Sequence, residues 1–511
     1  MSRFAVVADR VVGTADPQAD SVVIEEGRIA AVTTRQELGD IPRREHPGTT
    51  IAPSFTDSHL HPVGYAALVG GTSLGEADSP DDLRRLLEEA ASRLPPGQAL
   101  MAQRLDDTRL GRMPTRQDLD EAVPEHPVIA YRHCGHVAVV NTAVLEMAGV
   151  SRTTADPPGG SLDRDGSGLP TGVLRETALD LVAPFLDPLV PPPDVGRVVQ
   201  AINGLRGYGI GHAGAMVSSR HPLWCGVGDE IGLLSEAGPE LEVDLDVMVI
   251  ADSADELEQA ARRLDVMGGG IRFWGWKGFA DGSLGGHTAS MWERYSDVDT
   301  LGTSRLDPAR DEHLARTALD LGGVVAIHAI GDRAVDETLD LFDLLLQTGA
   351  DPARLRLEHA SVVSDEAIRR LASRGVVASV QPSFLTSEAG WVPERLGPAR
   401  AAYRFRSMLR AGVEMIGGSD SPVERPDPLV GMAAAVERRG WVDDEHVTVE
   451  QALALYTSAP AHHFGRPEPL APGSPADMNL VDGRPGEPGA EVAFVYAQGE
   501  LRRHRPVPWP G

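Results

Sequence analysis

The stretch Thr49 to Pro62, TTIAPSFTDSHLHP, carries His59 and His61 two residues apart behind an apolar lead-in. On a strand that spacing sends both imidazoles out of the same face of the pleat. Two neutral nitrogens aimed at one point suit a borderline-soft divalent cation, zinc first among them. A lone His-x-His on an apolar strand is more often a pair of ordinary histidines, so a metal site needs further donors. They can be sought where later apolar runs end: Lys277 in IRFWGWKGFADG, His328 in VVAIHAIG, His359 in RLRLEHAS and Asp420 in VEMIGGSDSPV. Singly, each has a bland explanation, a hydrogen-bonded core histidine or, for Asp420, a carboxylate that stabilises a turn. That four further runs should all end by accident in a metal-competent group is far harder to accept.

These groups need a scaffold that brings distant strand ends together. From about Asp194 onward, strand and helix patterns alternate, with strand candidates at 208–217, 241–252, 271–282, 324–331, 354–361, 376–384 and 413–423. With the His-x-His strand they make eight, and helical runs such as DRAVDETLDLFDLLLQTG and SDEAIRRLASRG lie between them. Eight strand–helix units point to an α/β fold, a (β/α)8 TIM barrel, whose chemistry sits at the carboxyl ends of its strands. A doubly wound sheet is the alternative. Short alternating strands at both ends of the chain, with a turn at Glu26-Gly27, pair into a small β-sandwich domain. The expected division is residues 1–50 and 466–511 for the two halves of the sandwich, 51–74 for the first barrel strand, and 194–465 for the rest of the barrel. Residues 75–193 are too long and too structured for a loop and read as an insertion covering the barrel mouth. Within it, Ser79 is the expected N-cap of the helix in SPDDLRRLLEEAASRLPPG.

The 511 residues suffice for a large core. With 75 acidic against 47 basic residues and a formal charge of −28, the chain would repel nucleic acid, and no basic patch offsets this. The opening MSRFAVVADRVVG has too short an apolar run for a secretory signal, and no run reaches the length of a membrane span. Cys134 and Cys225 are the only cysteines, with no Cys-x-x-Cys between them, which suits a reducing cytoplasm and excludes a thiolate zinc cluster. The expected partner is a small-molecule substrate, with neither nucleic acid nor membrane; the sequence also allows a homodimer.

The motifs DSHLHP, WKGFADGSLGGHTA, IHAIGDRAVD, LEHAS and GGSDSPV, in this order, together with PPGG and PTGVL in the insertion, resemble the amidohydrolase superfamily, family 3. That branch includes N-substituted formamide deformylases. The resemblance implies one or two divalent ions, most simply zinc, with His59 and His61 on one and His328 and His359 on the other. It also implies that Lys277 is carboxylated and bridges them, because an ammonium repels cations whereas its carbamate offers two oxygens and a negative charge. Asp420 would bind metal and shuttle the proton while metal-bound hydroxide attacks the carbon of an amide or formamide, cleaving a non-peptide C–N bond. A deaminase of a cyclic amidine or nucleobase-like substrate is the alternative, and a non-catalytic, metal-stabilised binding protein is a third reading. A serine hydrolase fails for want of a Gly-x-Ser-x-Gly elbow; Ser283 lies in Asp-Gly-Ser-Leu-Gly. The chain departs from its relatives at Cys134-Gly135-His136, where Asp-Gly-His is common, and at Ser361, which touches substrate choice and leaves the ligands intact. His136, Asn141, Trp276 and Arg333 are candidate substrate contacts. Trp274 and Trp391 are further pocket candidates, and Arg333 also has a structural reading as the brace of the loop after the fifth barrel strand.

Overall fold

The computed structural model describes residues 3–186, 188–190, 192–219, 229–397, 402–438 and 443–509, so Cys225 lies outside the described residues. Its central body is an eight-stranded parallel sheet: β1 (Phe55–Leu60), β2 (Ile210–Ser218), β3 (Asp244–Ile250), β4 (Ile271–Phe279), β5 (Val324–Ala329), β6 (Leu355–His359), β7 (Val377–Val380) and β8 (Met415–Gly417). Neighbours in the sheet are neighbours in sequence. The sheet all but closes into a barrel where Asp420 N donates to His59 O at 2.7 Å and His61 N to Ser421 O at 2.8 Å. The strands are Val-, Ile- and Leu-rich because both faces are covered, by side chains within and helices without. Helix 365–374 illustrates the connections: Ser364 caps its start, and Gly375 ends it in a left-handed conformation at φ 71.

The strands are shorter than the apolar runs that announce them, most of all β8, which spans three residues of the expected 413–423. The chain turns out of the sheet at His359 (φ 72) and Asp420 (φ 58), left-handed values that L-residues rarely adopt. Such strain persists where surrounding contacts impose it, and it gathers at functional sites.

The His-x-His stretch serves two bodies. Residues 49–53 pair antiparallel with 478–482, and the barrel strand begins only at Phe55. The boundary expected at 51 therefore moves to Ser54. The five-stranded sheet, in the order 10–11, 49–53, 478–482, 491–497 and 500–502, packs on a four-stranded sheet of residues 28–33, 21–25, 3–7 and 43–45. Val6, Val22, Ile24, Ile51, Met478 and Leu480 fill the space between them. Both ends of the chain thus build one sandwich, and the Glu26-Gly27 turn has the two positive φ values, 54 and 75, of a tight hairpin.

The insertion has its own six-stranded sheet, in the order 160–164, 170–176, 137–140, 128–132, 100–105 and 72–73, so it starts a little before the expected 75. Its alternation is clean: Val137 and Val139 enter one apolar cluster with Leu87 and Leu119, while Ala138 and Val140 enter another with Leu162 and Leu174. Ser79 caps the helix 80–91 as expected, accepting from Asp82 N at 3.2 Å. No helix among the described residues is long and apolar enough to cross a membrane.

Candidate metal centre

His59, His61 and Asp420 offer ligand atoms that all lie within 4.8 Å of one another, and all three residues are buried. His59 Nε2 and His61 Nε2 stand 3.1 and 3.3 Å from the same oxygen, Asp420 Oδ1. The later histidines join this group. The His359 ring lies 5.0 Å from that of His59, and the His328 ring 4.4 Å from that of His359. Residues from β1, β5, β6 and the turn after β8, widely separated in sequence, therefore meet at the carboxyl ends of the strands.

Each donor is braced from behind. His59 Nδ1 is 2.6 Å from Glu358 Oε2, and Glu358 is paired in turn with the fully buried Arg356. His359 Nδ1 donates to Gln381 Oε1 at 2.7 Å. Such outer contacts fix a ligating imidazole's tautomer and orientation. Glu358 and His359 are adjacent, so a regular strand would send them to opposite faces; the left-handed backbone at His359 breaks the alternation and both reach His59. Asp57, on β1, accepts from Ser419 N at 2.9 Å and Ser419 Oγ at 2.6 Å, pinning the residue next to Asp420. Asp281 accepts from Ser290, Ile330 and Gly331 N at 2.8–3.0 Å and so holds the loop that follows His328.

Electrostatics at the site favours neutral imidazoles. Burial holds His61 below its ordinary range and pushes His359 down to about 3. His328 is driven well below by burial, then by His359 and Lys277. His59 goes the other way: burial opposes its charge, but the carboxylates of Asp420 and Glu358 outweigh it. Asp420 is held well below the carboxylate range because His59 and His61 outweigh its own burial. The His59 and Asp420 side chains thus favour each other's charged forms, and metal binding competes with protons for such ligand atoms. Two imidazole nitrogens and a carboxylate oxygen around one buried point fit a divalent transition-metal ion.

Lys277 is buried at the end of β4 with Nζ 3.6 Å above the Phe279 ring and 3.4 Å from Gly278 O. Its charge bears on His61, His328 and His359. His328 Nε2 meets Gly282 O at 2.9 Å. Two cavities flank the group. A narrow one is lined by His136, His328, Glu388, Asp420 and Glu424; another, of about 550 Å³, is lined by Trp276, Lys277, Phe279, Asp252 and Arg305.

The candidate substrate contacts separate. His136 lies at the site, its ring 5.2 Å from that of His328. Trp276 lines the wider cavity but gives its Nε1–H to Ala251 O at 3.0 Å. Asn141 does not belong there: it caps helix 142–147, accepting from Val144 N and Val128 N and donating to His126 O. Its polar atoms are spent on backbone. Arg333 pairs with Glu337 one helical turn on and lies over the Trp292 ring, the structural role. Trp274 stacks with Arg272 at the amino end of β4, and Trp391 donates to Ser387 O beneath Arg395. Glu176, Glu358, Gln381, Asp57 and Asp281 were not singled out from the sequence. Glu358 stands in the LEH motif beside a candidate ligand, and Asp57 opens DSHLHP, so for these two a signal was present.

Residues 47–501 match the model of a family described as the amidohydrolase family. The chain is 30% identical over 496 residues to the putative amidohydrolase YtcJ of Bacillus subtilis, covering 91% of each protein. It is 27% identical over 539 residues to the N-substituted formamide deformylase of Arthrobacter pascens, covering 97% of each. Among solved structures, an uncharacterized metal-dependent hydrolase from Pyrococcus horikoshii superimposes with a TM-score of 0.71 at 28% identity, over 95% of this chain and 98% of that one.

Proposed function

This chain belongs to the amidohydrolase family, and on that premise we propose that it is a metal-dependent hydrolase that cleaves the C–N bond of a small amide, an N-substituted formamide first. The observation that carries the reading is the convergence of His59, His61 and Asp420 on one buried point, with His328 and His359 beside them. The likeness to the Arthrobacter pascens deformylase supports the choice of substrate class.

His59, His61 and Asp420 would hold one divalent ion, and His328 with His359 a second; zinc suits this donor set. When bound, such an ion lowers the pKa of a water toward neutrality and polarises a carbonyl. The protein's own part is to orient and to move protons. Glu358 and Gln381 keep the Nδ1 atoms of His59 and His359 occupied, so both rings offer Nε2 to the centre. The Asp420 carboxylate takes a proton from the attacking water and returns it to the departing nitrogen, the two-way duty of one general base and acid. Lys277, as its carbamate, would offer two further oxygens to the metal site. An ammonium is costly to bury at this depth, and the cavity that reaches Lys277 admits a small reagent.

Metal analysis of the purified protein, followed by a panel of N-formyl, N-acyl and cyclic amides, tests the reading. Bound divalent metal and amide hydrolysis that stops on chelation are expected. A metal-loaded protein that turns over none of the panel would overturn it. Incubation of the metal-loaded protein with ¹³C-bicarbonate should give a carbamate carbon signal that is absent from Lys277→Ala.

A further inference from the structure

The insertion reaches the barrel site through one pair of residues. The register Val137↔Arg175 makes His136 and Glu176 neighbours across an antiparallel strand pair, and Glu176 N donates to His136 O at 2.9 Å. Their side chains meet as well: His136 Nδ1 lies 2.9 Å from Glu176 Oε2. The same oxygen accepts from Arg305 Nη1 at 3.1 Å, and Arg305 is itself fixed on the loop after β4 through its N–H to Ala280 O at 2.7 Å.

Glu176 is fully buried and sits at φ 51, where a glutamate pays in backbone strain. Room for its carboxylate depends on Gly282, where a Cβ would stand 2.1 Å from Glu176 Oε1. The carbonyl of that glycine meets His328 Nε2. A buried carboxylate costs several kcal/mol by order of magnitude, more than pairing two strands requires, since an apolar cross-strand pair would do that without the cost. What a carboxylate can do here is hold a proton on Nδ1 of His136, so that the ring meets other groups through Nε2. That ring lines the narrow cavity together with His328 and Asp420.

We propose that Glu176, braced by Arg305, is a positioning residue that sets the tautomer and orientation of His136, and that His136 contacts the substrate, so that the insertion completes a site otherwise built on the barrel. The substrate contact rests on the hydrolase reading above; the positioning is independent of it.

The test compares metal-loaded wild type, Glu176→Gln, His136→Gln and the double variant, each with its metal content measured first. In ¹⁵N-histidine spectra, with His136 assigned by its absence from His136→Gln, the wild type should carry its proton on Nδ1, and Glu176→Gln should redistribute it. With N-butylformamide, Glu176→Gln should lower kcat about 10–100-fold at nearly unchanged KM and metal content. His136→Gln should lower kcat about 100-fold, and the double variant should be no slower than His136→Gln alone. A wild-type tautomer in Glu176→Gln, or a double variant slowed by the product of the two single effects, would overturn the proposal. Metal-loaded wild type without amide hydrolysis would count against the hydrolase reading instead, and the spectra would then decide the positioning.

Discussion

The barrel buries a histidine–carboxylate cluster at each end, and the two differ in what balances their charge. At the amino ends of β2, β3 and β4, Asp246 accepts from His212 Nε2 at 3.0 Å and from Arg272 Nη2 at 2.9 Å, with Arg466 at 3.5 Å. Its carboxyl lies far below the usual range because Arg272 and His212 outweigh its burial, and His212 is held low by burial. Protein cations complete that cluster. At the carboxyl ends, His59, His61 and Asp420 converge with His328 and His359, and burial keeps three of the four imidazoles from supplying positive charge. Similar side chains thus form a closed ionic joint at one end and an ion-accepting donor set at the other, the division between stability and chemistry that barrel enzymes show.

The largest effect expected from breaking this comparison is at the mouth. Asp420→Asn should lower amide hydrolysis by about 10³-fold or more, with a urea midpoint close to wild type, measured by initial rates and denaturation. His59→Ala should lose bound metal as well as activity, read by metal analysis; full activity in either variant would refute the assignment. At the other end, Asp246→Ala should cost about 3 kcal/mol of stability by leaving His212 and the guanidinium groups without their anion, while the folded enzyme keeps wild-type kcat. A variant that loses activity without losing stability would erase the distinction between the two ends.

Chelation separates the clusters again. Metal present at roughly 100 times its Kd stabilises the native state by about 2.7 kcal/mol, so the thermal midpoint should fall on adding chelator in wild type and in Arg272→Ala alike, but little in His59→Ala. Acid provides a finer probe. Because the folded pKa of Asp246 is depressed, its contribution is fully present above the unfolded value near 3.9 and is lost as pH falls through the folded one. The stability difference between wild type and Asp246→Asn should therefore be constant from pH 7 to about 5 and shrink below about 4. The smallest effect is expected for Arg466→Ala, about 1 kcal/mol or less, since its contact with Asp246 is long and its close partner, Asp244, is half exposed.

Much of the site was legible beforehand. His59 and His61 share a face because a strand repeats every two residues, and the apolar runs ending in Lys277, His328, His359 and Asp420 marked the ends of barrel strands. Asn141 takes the part of a helix cap and Arg333 the structural one of its two readings, since an asparagine or arginine just past an apolar run serves equally well as a helix cap or a surface ion pair. Helix caps and i,i+4 pairs are local, and both patterns were there to be read: Asn141 three residues before Val144, and Arg333 four before Glu337.

By itself, the sequence determined the periodicities: which runs are strands, which are helices, and which metal-competent groups stand at their ends. Only the tertiary structure decided what lies behind each of those groups. Glu358 behind His59, Gln381 behind His359, and Glu176 with Arg305 behind His136 are separated from their partners by 299, 22, 40 and 129 positions, distances at which no local propensity acts. Closure of the barrel and docking of the insertion create those contacts, and a short-range pattern in the chain cannot encode the spatial proximity that results.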